Sequence, residues 1–145
     1  MLRQAGSADG DAIAALFRRS FGGLTFLPTL HTPEEDRAHF GRLVREQEVW
    51  VAEEDGTVVG FAVLGPELLD HLYVDPPEQG RGIGSALLGR AKELRPDGFR
   101  LWTFQRNEGA RRFYERHGLR AVEFTDGAHN EEREPDVLYE WRGSA

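Results

Sequence analysis

Apolar residues recur along this chain in two rhythms. At helical spacing stand Ile13, Leu16 and Phe17, with Phe21 one turn on; then Phe40, Leu43 and Val44; then Ile83, Leu87, Ala91 and Leu94; then Ala110, Phe113, Tyr114 and His117. Each set lines one face of a helix and predicts a buried stripe. Between these sets lie runs rich in β-branched and aromatic residues: Val49 to Glu53, Val58 to Leu64, Leu68 to Val74, Phe99 to Phe104, Leu119 to Thr125 and Val137 to Trp141. These predict strands, with Leu2 to Gln4 as a short first one.

Turn and cap residues place the boundaries. Ser7 or Asp9 can cap the first helix. Phe21 to Leu30 reads as a glycine- and aromatic-rich loop. Thr32-Pro33-Glu34-Glu35 is a helix start, with Thr32 as cap, Pro33 in the first helical position and Glu35 completing a capping box. Asp55-Gly56 marks a hairpin. Pro96-Asp97-Gly98 and Gly118 close the two later helices. The resulting order is β-α-α-β-β-β-α-β-α-β-β. Strands flanking the third helix are expected to be parallel through a right-handed crossover. The leading hairpin is expected to be antiparallel, in a mixed sheet with helices on both faces. With no repeat, low-complexity tract or linker, residues 1–145 are expected to form one domain.

Composition narrows the chemistry. The 145 residues are 39% hydrophobic and 30% charged, as in globular domains, and the formal net charge is −7. That balance disfavours nucleic acid and mildly favours a cationic partner. With no cysteine, disulfides, thiolate metal sites and a cysteine acyl-enzyme are excluded. The histidines show no metal spacing, so no metal is expected. No apolar run is long enough for a membrane span, and the first residues hold no secretory leader; a cytoplasmic location is expected.

The most informative segment is Leu72-Tyr73-Val74-Asp75-Pro76-Pro77-Glu78-Gln79-Gly80-Arg81-Gly82-Ile83-Gly84-Ser85. A strand passes through a glycine loop into a helix N-terminus, whose unpaired N–H groups suit phosphate or pyrophosphate. A nucleoside-triphosphate loop would need lysine after Gly84, where Ser85 stands. A dinucleotide fingerprint would need glycine or alanine at Ser85 and a ribose-binding acid between Leu101 and Gln105, where none occurs. Gln79-x-x-Gly82-x-Gly84 after Leu72-Tyr73-Val74, followed by Asn107-x-x-Ala110-x-x-Phe113-Tyr114-x-x-x-Gly118-Leu119, resembles the two cofactor motifs of the GNAT N-acetyltransferase superfamily. The likeness extends over nearly the whole chain.

The resemblance implies a single-domain α/β acyl-CoA N-acyltransferase fold with a mixed, mostly antiparallel sheet, in which the strand ending at Val74 bulges and splays from the strand Phe99 to Phe104. It implies acetyl-CoA as cosubstrate. Backbone N–H groups of Gly80, Arg81, Gly82, Ile83, Gly84 and Ser85 would hold its pyrophosphate, with the Gln79 and Arg81 side chains flanking. Leu72 and Val74 would bind the pantetheine arm through their backbones, and the Leu72 N–H would polarise the thioester carbonyl. Asn107 would contact the pantetheine, or act only as a helix cap. Tyr114 resembles the general acid that protonates the departing thiolate. Asp70 is the first candidate for general base, on the face of Leu72 and Val74, with Glu67 and His71 as alternatives. Acceptor would bind between Phe21 to His31 and Asp126 to Asp136, where Phe21, Phe26, Leu30, His31 and Trp102 offer apolar walls. Glu131, Glu132, Glu134 and Asp136 read as a solvated loop or as a patch recruiting a cation. The expected activity is direct transfer to a primary amine, of a small molecule first and of a protein α-amine or lysine second. The alternative of another class is a non-catalytic CoA-binding sensor. Such proteins often pair, so a homodimer is admitted.

Overall fold

The structure, a computed structural model, describes residues 1–143. Its strands are β1 (Leu2–Gln4), β2 (Glu48–Glu54), β3 (Thr57–Leu64), β4 (Leu69–Val74), β5 (Phe99–Phe104), β6 (Arg120–Phe124) and β7 (Asp136–Trp141). Its helices are α1 (Gly10–Gly22), α2 (Pro33–Glu46), α3 (Ile83–Leu94) and α4 (Glu108–Arg116), with short 3-10 turns at Ser7–Asp9 and Pro76–Glu78. The expected order of strands and helices is the observed one.

The strands form two sheets, ordered β1-β2-β3-β4 and β5-β7-β6, antiparallel throughout. They meet at a parallel bridge between Leu68 and Arg100. Leu68, expected within the fourth strand, makes only this bridge. Helices α1 and α2 close one face of the first sheet around Ile13, Leu16, Phe40, Val51, Phe61 and Val63. The other face packs Ala62, Leu64, Leu87, Leu88 and Ala91 into a second core that continues through Leu101, Tyr114, Val137 and Tyr139. Gly60 permits this close approach, because a Cβ there would lie 3.1 Å from side-chain carbons of Ile83 and Leu87.

The capping box at α2 forms as expected: Thr32 accepts from the Glu35 N–H at 3.1 Å, and Glu35 accepts from the Thr32 N–H at 2.8 Å. Helix α1 runs through Phe21 to Gly22, past the expected loop start, because Phe21 stacks on Phe17 one turn back (5.0 Å). Asp9 precedes that helix without a side-chain cap. Its carboxylate instead takes the Gly6 N–H at 2.7 Å and Arg3 at 2.8 Å. In α4 only Tyr114 is buried; Ala110 and Phe113 face a cavity, which leaves them half-exposed.

Candidate active site

Strand β4 carries the site. While β3 advances from Val63 to Leu64, β4 advances from His71 to Leu69, so Asp70 is an extra residue bulging from the ladder. Asp75 donates its N–H to Val59 at 2.8 Å. By antiparallel alternation, Tyr73 and His71 share their backbone bonds with β3, and Leu72 and Val74 turn theirs to the open side. The Val74 carbonyl accepts there from Ser20 Oγ and from Gln79 Nε2, both at 3.1 Å. Beside it a cavity of about 680 Å³ runs between β4 and β5 from Gly80, Gly82, Gly84 and Ser85 to Asn107 and Tyr114.

Gly80 and Gly82 have φ of +82° and +85°, a region costly for other residues, and a Cβ on either would meet no protein atom within 4 Å. The loop backbone is therefore open to a ligand. Gly84 is closed in: a Cβ there would stand 3.3 Å from the Phe113 ring, so its absence seats α4 against α3. His117 Nδ1 lies 2.7 Å from the Phe113 carbonyl, which places the proton there and leaves Nε2 to accept from Ser85 Oγ at 2.9 Å. Ile83 also lines this cavity; the Arg81 side chain does not, being paired with Glu54 and Glu78. Asn107 caps α4 by accepting the Ala110 N–H at 3.2 Å while lining the same space, so the two expected readings coexist. Tyr114 is buried beneath the cavity, and desolvation pushes its phenol well above the usual range.

A second cavity, of about 600 Å³, lies between α1, α2 and the loop before β7. Phe17, Phe21, Phe40 and Phe104 supply aromatic walls, and Leu30, His31 and Trp102 also line it. Phe26 does not line it; its ring lies under the Arg106 guanidinium at 4.6 Å. Both cavities are bordered by Asp70, His71, Tyr73, Trp102 and Phe104, so they meet at the bulge. Asp70 opens to both sides rather than only to the face of Leu72. Burial raises its carboxyl above the ordinary range. His71 packs among Phe17, Phe40 and Phe61, and burial pushes it down to about 4, so it is neutral at pH 7. Glu67 borders neither cavity.

The acidic loop divides into two sets. Glu134 and Asp136 are buried and engaged, Glu134 with Arg106 at 2.9 Å and Asp136 with His129 at 2.8 Å. They are internal braces of the loop rather than a recruiting patch. Glu131 reaches across to His31 at 2.9 Å and joins the two loops expected to bind acceptor. Tyr73 was not among the expected site residues; it lies between Leu72 and Val74, and only its place on the border of both cavities reveals it.

The split sheet, the open glycine loop and the paired cavities are the arrangement expected of an acyl-CoA-dependent acyltransferase. Known proteins carry this further. The model of the Acetyltransferase (GNAT) domain family matches residues 45–120. The peptidyl-lysine N-acetyltransferase YjaB of Salmonella typhimurium is 31% identical over 123 residues, covering 83% of each chain. A Mycobacterium tuberculosis protein named "Probable N-acetyltransferase Rv2775" is 37% identical over 76 residues; that match spans 47% of this chain and 44% of its relative. The solution structure of apo YjaB from Escherichia coli superposes with a TM-score of 0.80 at 23% identity, covering 99% of this chain and 98% of that one, a likeness of fold. The chain belongs to the GNAT family and is an N-acetyltransferase. Among the described residues no helix is long and apolar enough to cross a membrane.

Proposed function

We propose that the protein transfers acetyl from acetyl-CoA to a primary amine on an apolar stem, with a peptidyl lysine side chain as first acceptor. The observation that carries this reading is the meeting of the two cavities at Asp70, His71 and Tyr73. One leads to the glycine loop; the other is walled by aromatic rings and rimmed by acids, which suits an alkyl stem ending in a cation. The name of the YjaB relative supports lysine over the free amine expected first from the sequence.

The residues present fit acetyl-CoA. The open backbone at Gly80 and Gly82 and the first turn of α3 hold pyrophosphate, and the outward groups of Leu72 with the Val74 N–H hold the pantetheine as an added strand would be held, the Val74 carbonyl being taken by Ser20 and Gln79. Acetyl-CoA supplies the activated thioester. The Leu72 N–H donates to the carbonyl oxygen as it gains charge. Asp70 accepts the proton the ammonium must lose. Tyr114, kept protonated by burial, gives a proton to the departing sulfur. Transfer is direct, since the chain has no cysteine to carry the acyl group.

A free small amine is the second reading, favoured by the His31–Glu131 contact across the mouth of the acceptor cavity. Thiol release from acetyl-CoA, followed with a lysine peptide and with short alkyl amines, tests both. Faster release with the peptide supports the first reading, and faster release with free amines the second. No release with either, while acetyl-CoA still binds, would leave the non-catalytic sensor.

A further inference from the structure

Carboxylates rim the acceptor cavity, and most already have a cation or a cap to serve. Asp36 holds Arg18 at 2.7 Å, Glu35 is committed to the Thr32 N–H at 2.8 Å, and Glu131 holds His31 at 2.9 Å. Two acids of the lining, Asp70 and Glu132, have no partner side chain among the described residues. Asp70 stands at the junction of the cavities. Glu132, half-buried in the loop before β7, borders the acceptor cavity alone. Burial raises its carboxyl, and Tyr73 lines the same cavity.

Independent of the acids, His71 and Tyr73 turn polar atoms toward this cavity. Protein surrounds both side chains, yet among the described residues neither His71 nitrogen nor the Tyr73 hydroxyl bonds to a protein group, and no fully occluded side-chain polar atom is left unsatisfied. These atoms therefore remain open to an occupant. An uncompensated carboxylate, two unspent hydrogen-bonding groups and aromatic walls call for a cation on an apolar stem.

We propose that Glu132 is the specificity-determining residue of the acceptor cavity: its carboxylate draws in the acceptor's ammonium on its way to Asp70 and so selects cationic amines. This rests on reading the cavity as the acceptor site. Removing a charged hydrogen-bond partner costs enough to weaken binding about tenfold or more.

The test is calorimetric binding of Nα-acetyl-lysine amide to the full chain saturated with CoA, the thiol product, which cannot donate acetyl. In Glu132→Gln and Glu132→Ala the affinity is expected to fall about tenfold or more, with a weaker dependence on salt. The norleucine analogue, which lacks the ammonium, is expected to bind all three proteins alike. An equal rise in melting temperature with CoA in all three shows that the fold and cofactor side are intact. Equal lysine-probe affinity in wild type and Glu132→Gln would overturn the proposal, as would absence of probe binding to the wild type. Probe binding that depends on Glu132, without thiol release from acetyl-CoA, would uphold the assignment and sink acetyl transfer; thiol release with probe binding indifferent to Glu132 would do the reverse.

Discussion

Leu68 and Arg100 form a parallel bridge between the two sheets, and past them β4 and β5 part. The bulge at Asp70 follows at once, and from there the Leu72 N–H and carbonyl look into the gap. Proline at an edge position whose N–H faces outward leaves the ladder to β3 intact. Leu72→Pro is therefore expected to fold and to keep its melting shift with acetyl-CoA. Its kcat should fall by about 10²-fold, the cost of losing one donor to a developing oxyanion. A kcat within threefold of wild type would remove Leu72 from the chemistry.

Tyr114 makes no hydrogen bond through its hydroxyl to any described residue, although its ring packs 6.0 Å from Tyr139 and 5.4 Å from Phe113. Tyr114→Phe keeps that packing and strands no partner. Melting temperature and acetyl-CoA affinity should hardly change, while kcat at saturating acceptor drops by about 10²-fold. An unchanged kcat would make Tyr114 a core aromatic only.

Gly82 takes φ of +85° at the start of α3, with open space where a Cβ would point. Gly82→Ala is expected to cost about 1 kcal/mol in stability from the left-handed backbone. The larger effect should be on KM for acetyl-CoA, raised about tenfold if the methyl meets the pyrophosphate. Steady-state kinetics at saturating amine separate this from any change in kcat.

His71 links stability to pH. Its folded value near 4 lies below the ordinary 6.5, so between these the unfolded chain binds more protons. The stability it contributes is full above pH 6.5 and is lost as pH falls toward 4. By pH 5 the loss should be about 2 kcal/mol. Denaturant melts at pH 7 and pH 5 should show it in wild type and show less in His71→Phe; equal losses would mean His71 is solvated in the native state.

The order of elements was legible because glycine, proline and cap residues punctuate clean apolar rhythms, as at Thr32-Pro33-Glu34-Glu35. The glycine loop was legible because positive φ restricts residue choice at Gly80 and Gly82. A bulge in the strand ending at Val74 was legible only through the resemblance; its place at Asp70 was not, because an inserted residue leaves no mark in a strand already irregular in polarity. Nor could the sequence divide the acids of the last loop. Glu134 and Asp136 brace it through Arg106 and His129, while Glu132 faces the cavity, and only folding brings those partners together. Tyr73 carries no sequence signal for a similar reason, since it matters through its position between two cavities.

The most direct measurement is the melting curve with and without acetyl-CoA, with ATP and NAD as controls. A ligand of the native state at a hundred times its Kd adds about 2.7 kcal/mol, a rise of several degrees for a chain of this size. That rise is expected with acetyl-CoA and none with ATP or NAD. An equal rise with ATP, or no rise with acetyl-CoA, would contradict a gap between β4 and β5 built to hold the acetyl donor.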